Sequence, residues 1–364
     1  MKETMLKYIK ETPEQCLMNI QQSESLTKTI VDEFCKKDFK RIQMIASGSS
    51  YNGAFTAKYF VEKVLKCKVE LITSFTTLHY ESIFDEDTFY IGMGQSGRST
   101  NTNQAMKKVL DLGNTIVGVS GNVESEMKHY CTAICNWGVG IEKIGYVTKG
   151  YSTSVLFYML FAIEAGKRMH SISEKEYESY KKDLLEMVEH MRTMIEKSKK
   201  WYDQNEKELY ENLKRIQITG YGSGQGTAME GALKIEETMG KASTAYEMEE
   251  YLHGPYFETD QERTVFVIDT GGESSGRANK LYKALYHLTP NVYLIHHENT
   301  TDKNIIGVEH HLDETMIALI NVIPFQMIAA IGRDKWGNPY ENQYLAFGDE
   351  MDTKSPKTGN EVGL

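Results

Sequence analysis

Three ionisable residues share one short segment, EGALKIEETMG. Glu230, Lys234 and Glu237 are spaced i, i+4, i+7 and fall on one face of a helix. A carboxylate held beside a carbon acid can take a proton from one atom and return it to the next. The plainer alternative is a solvated salt-bridge stripe. Further on, His253 precedes Gly254-Pro255, where a helix or turn must stop, so this histidine is either a turn residue or an acid–base group. Two loops offer different chemistry. SGSSYN (residues 47–52) and GQSGRST (residues 94–100) combine glycines with hydroxyl side chains. Small residues let backbone N–H groups approach an anion, and a following helix N-terminus adds positive partial charge. Helix capping alone would use the same residues. The lysine-bearing nucleotide loop GxxxxGK[ST] does not occur, and Gly222 to Gly226 reads GxGxG rather than GxGxxG.

The elements that must hold these groups occur twice. MIASGSSYNGAF (Met44 to Phe55) is similar to TGYGSGQGTAM (Thr219 to Met229), each after a β-prone run, RIQMIA or RIQIT. Gly48 and Gly222 align at an offset of 174 residues, which implies a duplicated domain. In the first half, strands are expected at 42–46, 69–73, 88–93, 115–120 and 133–137, with helices near 54–65, 101–112 and 123–129. In the second, strands are expected at 216–220, 264–269 and 292–296. Apolar strands alternating with helices imply α/β domains with mainly parallel sheets, in which ligands sit beyond the carboxyl ends of the strands. The expected division is an N-terminal helical segment (1–30), a first domain (31–170), a helical connector (171–208), a second domain (209–345) and a polar tail (346–364). In the connector, Leu184, Met187, Met191 and Met194 mark one helical face, read as a helical hairpin packed on the cores. Met316 to Gly332 is apolar but interrupted by Asn321, Pro324 and Gln326, and reads as a kinked core helix.

Composition narrows the partners. The 364 residues carry a formal charge of -10, which disfavours nucleic acid and anionic membranes as partners. No apolar run reaches the length of a membrane span, and the charged N-terminus lacks a signal-peptide core. The five cysteines are scattered and odd in number, which suits free thiols in a cytoplasmic protein. Cys131 and Cys135 have no second ligand pair, and no carboxylate spacing around His296-His297 or His310-His311 forms a metal motif, so neither a metal nor a cofactor is expected. The 22 tyrosines form no aromatic strip.

Taken together, SGSSYN, GQSGRST, EGALKIEE and HGP resemble the sugar isomerase (SIS) domain family. They are most similar to the tandem-SIS isomerase part of glucosamine-6-phosphate synthase and to fructosamine-6-phosphate deglycases and glucosamine-6-phosphate deaminases. The resemblance runs from about Tyr8 to the tail. It implies two flavodoxin-like three-layer (αβα) domains, a homodimer, and a 6-phosphosugar site built from both domains. It assigns phosphate contacts to Ser49, Ser50, Gln95, Ser96 and Ser99. It assigns the C1/C2 proton transfer to Glu237, with Lys234 one turn before it. His253 falls on a histidine linked to ring opening, which in the family comes from the neighbouring subunit. Lys354 in TKS is the counterpart of the sugar-binding lysine of the synthase's C-terminal motif, with Lys357 as second choice.

Departures shape the expectation. Gly94 and Arg98 replace a serine and a glutamate of the family loop SQSGET, and Ile144 to Lys149 is one residue shorter than its family counterpart. No glutaminase domain is expected ahead of the first domain, since residue 2 is lysine rather than its nucleophilic cysteine. The resemblance therefore implies a deglycase or deaminase acting on a 6-phosphorylated amino sugar or fructosamine. The alternatives are an aldose–ketose isomerase and a non-catalytic phosphosugar sensor. The sensor reading fits less well, because the N-terminal segment is expected to leave no room for a DNA-binding domain and Glu237 and His253 are both retained.

Overall fold

The structure, a computed structural model, describes residues 3–338 and 341–355. Helices α1 (Met5–Gln21) and α2 (Ser23–Phe34) open the chain. Then follow β1 (Arg41–Ala46), α3 (Ser49–Leu65), β2 (Lys68–Thr73), α4 (Ser74–His79), β3 (Thr88–Met93), α5 (Thr100–Asp111), β4 (Ile116–Ser120), β5 (Ala133–Asn136) and α6 (Lys149–Arg168). Helix α7 spans Glu174–Asn212. The second half holds β6 (Arg215–Gly220), α8 (Ser223–Met239), β7 (Ala242–Glu247), α9 (Met248–Leu252), β8 (Thr264–Ile268), α10 (Ser275–Leu285), β9 (Val292–His296), β10 (Ile305–Gly307), α11 (Ala318–Asn321) and α12 (Ile323–Trp336). Helix α13 (Glu341–Glu350) follows.

The chain divides into two compact units. One comprises residues 14–185 with 341–355, the other residues 186–338 with 3–13. Each holds a five-stranded sheet. The first runs β2-β1-β3-β4-β5 and the second β7-β6-β8-β9-β10. Every neighbouring pair in both sheets is parallel. Numbered within its own half, each sheet has the order 2-1-3-4-5, the flavodoxin-like winding whose switch point lies between its first and third strands. Central strands are apolar throughout because helices cover both faces: β3 and β4 are buried at every position, as is β8.

The duplication is exact enough to compare backbones. Gly48 (φ 58°, ψ -138°) and Gly222 (φ 54°, ψ -127°) turn the chain identically from the first strand into a 17-residue helix. Those helices end at Lys66 and Gly240, both left-handed and again 174 residues apart. At the same offset, β7 matches β2, a pairing that extends to their caps, since Thr73 and Glu247 have near-identical dihedrals. The sequence reading overlooked β7, whose segment ASTAYE carries few β-formers and lies at the sheet edge.

Two expectations are corrected. The connector is no hairpin: α7 is one 39-residue helix, because nothing between Glu174 and Asn212 is a glycine or proline. Leu184, Met187, Met191 and Met194 are buried along it as expected. The apolar run from Met316 is two successive buried helices rather than one kinked helix, with Pro324 in the first turn of α12, where its missing N–H costs nothing. No helix among the described residues is long and apolar enough to cross a membrane.

Candidate active site

In the first unit, the two hydroxyl-rich loops leave the carboxyl ends of β1 and β3, at the switch point. The first intrahelical bond of α3 is Asn52 N–H to Gly48 O, so the first turn of the helix opens directly onto this loop. Ser49 and Ser50 are half-buried. A chain of hydroxyls ties this loop to the other. Ser47 Oγ donates to Ser74 Oγ (3.2 Å), Ser74 pairs with Thr102 (2.8 Å), and Thr102 Oγ1 donates to Ser99 Oγ (3.0 Å). Ser74 and Thr102 are buried. Since Ser99 accepts from Thr102, its own proton can be given to a ligand. Ser96 Oγ likewise accepts from Arg98 N–H (3.3 Å). Gly97 makes the turn possible: its φ is +64°, and a Cβ there would lie 2.6 Å from Ser125 Cβ.

Gln95 is placed differently. Its amide donates to Glu142 Oε2 (3.0 Å), and Glu142 is itself buried. That carboxylate caps α6, accepting the backbone N–H groups of Thr148, Lys149 and Gly150, each at 2.9 Å. Gln95 thus braces the loop through its side chain, and its carbonyl accepts from Gly121 N–H (3.0 Å) and Ser120 Oγ (3.3 Å). Sequence reasoning missed Ser74, Thr102 and Glu142 as supports. The run TSFTT after β2 was the available signal for Ser74.

Arg98, where the family loop has glutamate, is buried and donates from Nε to Ser355 O (2.9 Å), with Nη2 on the same oxygen. Ser355 N–H returns a bond to Arg98 O (2.9 Å), and Ser99 and Lys354 form an antiparallel bridge. Thr100 Oγ1 holds Asp352 O (2.8 Å). Arg98 therefore docks the tail segment and brings Lys354 alongside Ser99. Lys357 lies outside the described residues.

In the second unit, α8 carries the charged trio, and it is not a solvated stripe. Glu230 and Lys234 are 0% and 1% exposed, whereas Glu237 is 35% exposed. Lys234 Nζ lies 2.6 Å from Glu237 Oε2 and 3.6 Å from Glu230 Oε1. Burial follows from close helix packing: a Cβ at Gly231 would meet the Phe325 ring at 2.8 Å. A buried ammonium between two carboxylates fixes the outer one in orientation while leaving it open to solvent.

His253 is exposed, at the C-terminus of α9, where its N–H bonds Glu250 O (3.1 Å). Gly254 at φ +145° then admits Pro255. No hydrogen bond, ion pair or ring contact joins His253 to Glu237 among the described residues. Phe257, four residues on, is 80% exposed.

Comparison with known proteins agrees with this architecture. The SIS domain matches residues 37–164 and 209–329. Glutamine–fructose-6-phosphate aminotransferase (isomerizing) of Thermococcus kodakarensis is 26% identical over 332 residues, covering 89% of this chain and 54% of that protein. The chain thus spans about half the length of that relative. The crystal structure of a candidate phosphosugar isomerase from Clostridium difficile 630 superimposes with a TM-score of 0.88 at 26% identity, covering 98% of this chain and 100% of the other. Glucosamine-6-phosphate deaminase of Thermotoga maritima shares the fold, with a TM-score of 0.69 at 21% identity over 89% of this chain and 95% of its own. With two matched segments that together exceed half its length, the chain belongs to the SIS domain family.

Proposed function

We propose that this protein converts a 6-phosphorylated amino sugar or fructosamine by proton transfer between C1 and C2, as a deglycase or deaminase. The observation that carries the reading is Glu237: a half-exposed carboxylate oriented by the buried Lys234 in the segment EGALKIEE. The hydroxyl-linked loops of Ser49, Ser50, Gln95, Ser96 and Ser99 take the phosphate, with the N-terminus of α3 adding positive partial charge. Anchoring by a non-reacting phosphate supplies orientation. Lys234 is too buried to reach a substrate readily, so its part is to hold Glu237. Lys354, beside Ser99, is the lysine assigned to the sugar. His253 assists ring opening from the partner of a homodimer, a role its exposed position beside Phe257 accommodates.

For a ketosamine, Glu237 removes a C1 proton and the electrons shift to give an enolamine. Returning the proton to C2 leaves an imine at C1. Water then hydrolyses that imine to glucose 6-phosphate and the free amine. For glucosamine 6-phosphate the shuttle runs from C2 to C1, and hydrolysis releases fructose 6-phosphate and ammonia.

A second reading, aldose–ketose isomerisation, is favoured by the name carried by the Clostridium difficile structure. Proton NMR in D2O with fructose, glucose, glucosamine and fructosyl-amine 6-phosphates tests both. Loss of a C1 or C2 proton signal is expected, and the product peaks separate isomerase, deaminase and deglycase. Binding without exchange in any compound would overturn catalysis in favour of a sensor.

A further inference from the structure

The second unit departs from the first beyond the carboxyl ends of β8 and β9, its third and fourth strands. An offset of 176 residues relates Thr88 to Thr264 and Ile116 to Val292, the first residues of corresponding strands. It places Asp269, His296 and His297 where the first unit has Met93, Ser120 and Gly121. The ends of the third and fourth strands, apolar or small in the first unit, thus carry a carboxylate and two imidazoles in the second. The parallel pairing of β8 with β9 sets Ile268 beside Ile295, so the next residues along, Asp269 and His296, come together although 27 apart in sequence. That separation is why no local metal motif is legible around His296-His297.

We propose that Asp269, His296 and His297 form a binding site for a late first-row divalent metal ion of the zinc class. Asp269 Oδ2 lies 3.0 Å from His296 Nδ1 and 3.6 Å from His297 Nδ1. Ligands at 2.0–2.1 Å from a tetrahedral ion stand about 3.4 Å apart, and the two distances bracket that edge. The three donor atoms all lie within 4.8 Å of one another. His297 Nδ1 is buried and faces the Asp269 carboxylate at 3.6 Å without closing a hydrogen bond.

The supporting shell is already in place. Tyr221 Oη (2.7 Å) and Gly271 N–H (2.9 Å) donate to Asp269 Oδ1. Ser275 Oγ (2.8 Å) and Asn279 Nδ2 (2.9 Å) donate to Oδ2. Such outer partners fix the orientation of a ligating carboxylate. Asp269 is fully buried, whereas His296 and His297 are 12% and 20% exposed, which gives an ion its way in. On the outer side, Glu298 Oε2 stands 3.5 Å from His296 Nε2 and Oε1 stands 3.8 Å from His297 Nε2, but this carboxylate is 65% exposed. Two histidines and one carboxylate leave a fourth position for water or an exogenous ligand.

The test is a Co2+ titration of the EDTA-stripped full chain, read by visible ligand-field absorption, with Zn2+ competition and calorimetry. One equivalent per chain with the absorption of a tetrahedral ion is expected, displaced by Zn2+. His297 otherwise touches only the His296 and His310 rings and the exposed Glu298 among the contacts described, so His297→Ala should leave circular dichroism unchanged while affinity falls by at least about 100-fold, the upper end of what losing a mere supporting partner costs. Glu298→Gln should leave binding intact. No spectral change with stoichiometric Co2+, or binding that survives His297→Ala, or binding that requires Glu298 instead, would overturn the site. The outcome is independent of the phosphosugar reading, because none of these residues is assigned to it.

Discussion

Lys234 and Glu237 form a hydrogen-bonded ion pair of 2.6 Å in which the lysine is buried and the glutamate is 35% exposed. The asymmetry divides their roles. Glu237 faces outward and can exchange a proton, while Lys234 sits between it and the buried Glu230. Removing either partner should therefore fail in a different way.

Glu237→Gln keeps the shape and most of the packing. Turnover should fall by about 10²–10⁴-fold, the usual worth of a general base, while phosphosugar binding measured by calorimetry persists. Lys234→Met instead takes the ammonium away from the buried Glu230 carboxylate. Denaturant unfolding should show a loss of about 3–5 kcal/mol, whereas Glu237→Gln should unfold close to wild type. Full activity in Glu237→Gln would remove it as the proton carrier.

Gly97 is held in a left-handed turn with Ser125 packed against it. Gly97→Ala should cost about 1–3 kcal/mol through backbone strain, and more where Ser125 cannot move. Because the same turn presents Ser96 and Ser99, affinity for a phosphosugar or inorganic phosphate should weaken in parallel. Calorimetry beside thermal unfolding would check both, and unchanged affinity with lowered stability would separate the turn from ligand binding.

Arg98 is expected to dock the tail. Arg98→Ala deletes a charged donor to Ser355 O, an interaction worth about 1.5–3 kcal/mol. Tryptic cleavage after Lys354 should accelerate by roughly 10–100-fold, the same free energy expressed as an equilibrium for tail release. An unchanged cleavage rate would mean that the backbone pairing of Ser99 with Lys354 suffices alone.

The thiols offer a test that needs no substrate. Burial pushes Cys16 up to about 12 and raises Cys135 further, and neither is accessible. Cys67, about half-buried, is raised to about 11, chiefly by desolvation. A low thiolate fraction and poor access both slow alkylation. Iodoacetamide at mildly alkaline pH, followed by peptide mass spectrometry, should label Cys16 and Cys135 only after denaturation. Prompt native labelling of Cys135 would mean that the β5 end of the first sheet opens readily.

Much of the fold could be read from the residues, because it depends on local pattern. The apolar runs at 88–93 and 292–296 became strands with those bounds, and the other expected strands shifted by a residue at most at either end. The strand β7 lacked an apolar run. Yet the 174-residue offset carries Lys68–Thr73 directly onto Ala242–Glu247, so the repeat held a signal that composition did not. The edge strand β10 is three residues long, too short for any periodicity.

What the sequence by itself determined is the duplication, the glycine-led loops after β1 and β6, and the residues Ser49, Ser50, Ser96, Ser99, Glu237 and His253 that the family resemblance picks out. The duplication and the loops follow from backbone chemistry and from short-range spacing, whereas the residue roles rest on the resemblance alone. Only the tertiary structure decided which of the charged residues are buried. Helical spacing put Glu230, Lys234 and Glu237 on one face, but close packing at Gly231 turned a would-be solvent stripe into a buried pair with one exposed member. The same holds for contacts between distant segments. Arg98 meets Ser355 across 257 residues, and Asp269 meets His296 across 27, because adjacent strands and returning chain set side by side what the sequence holds apart.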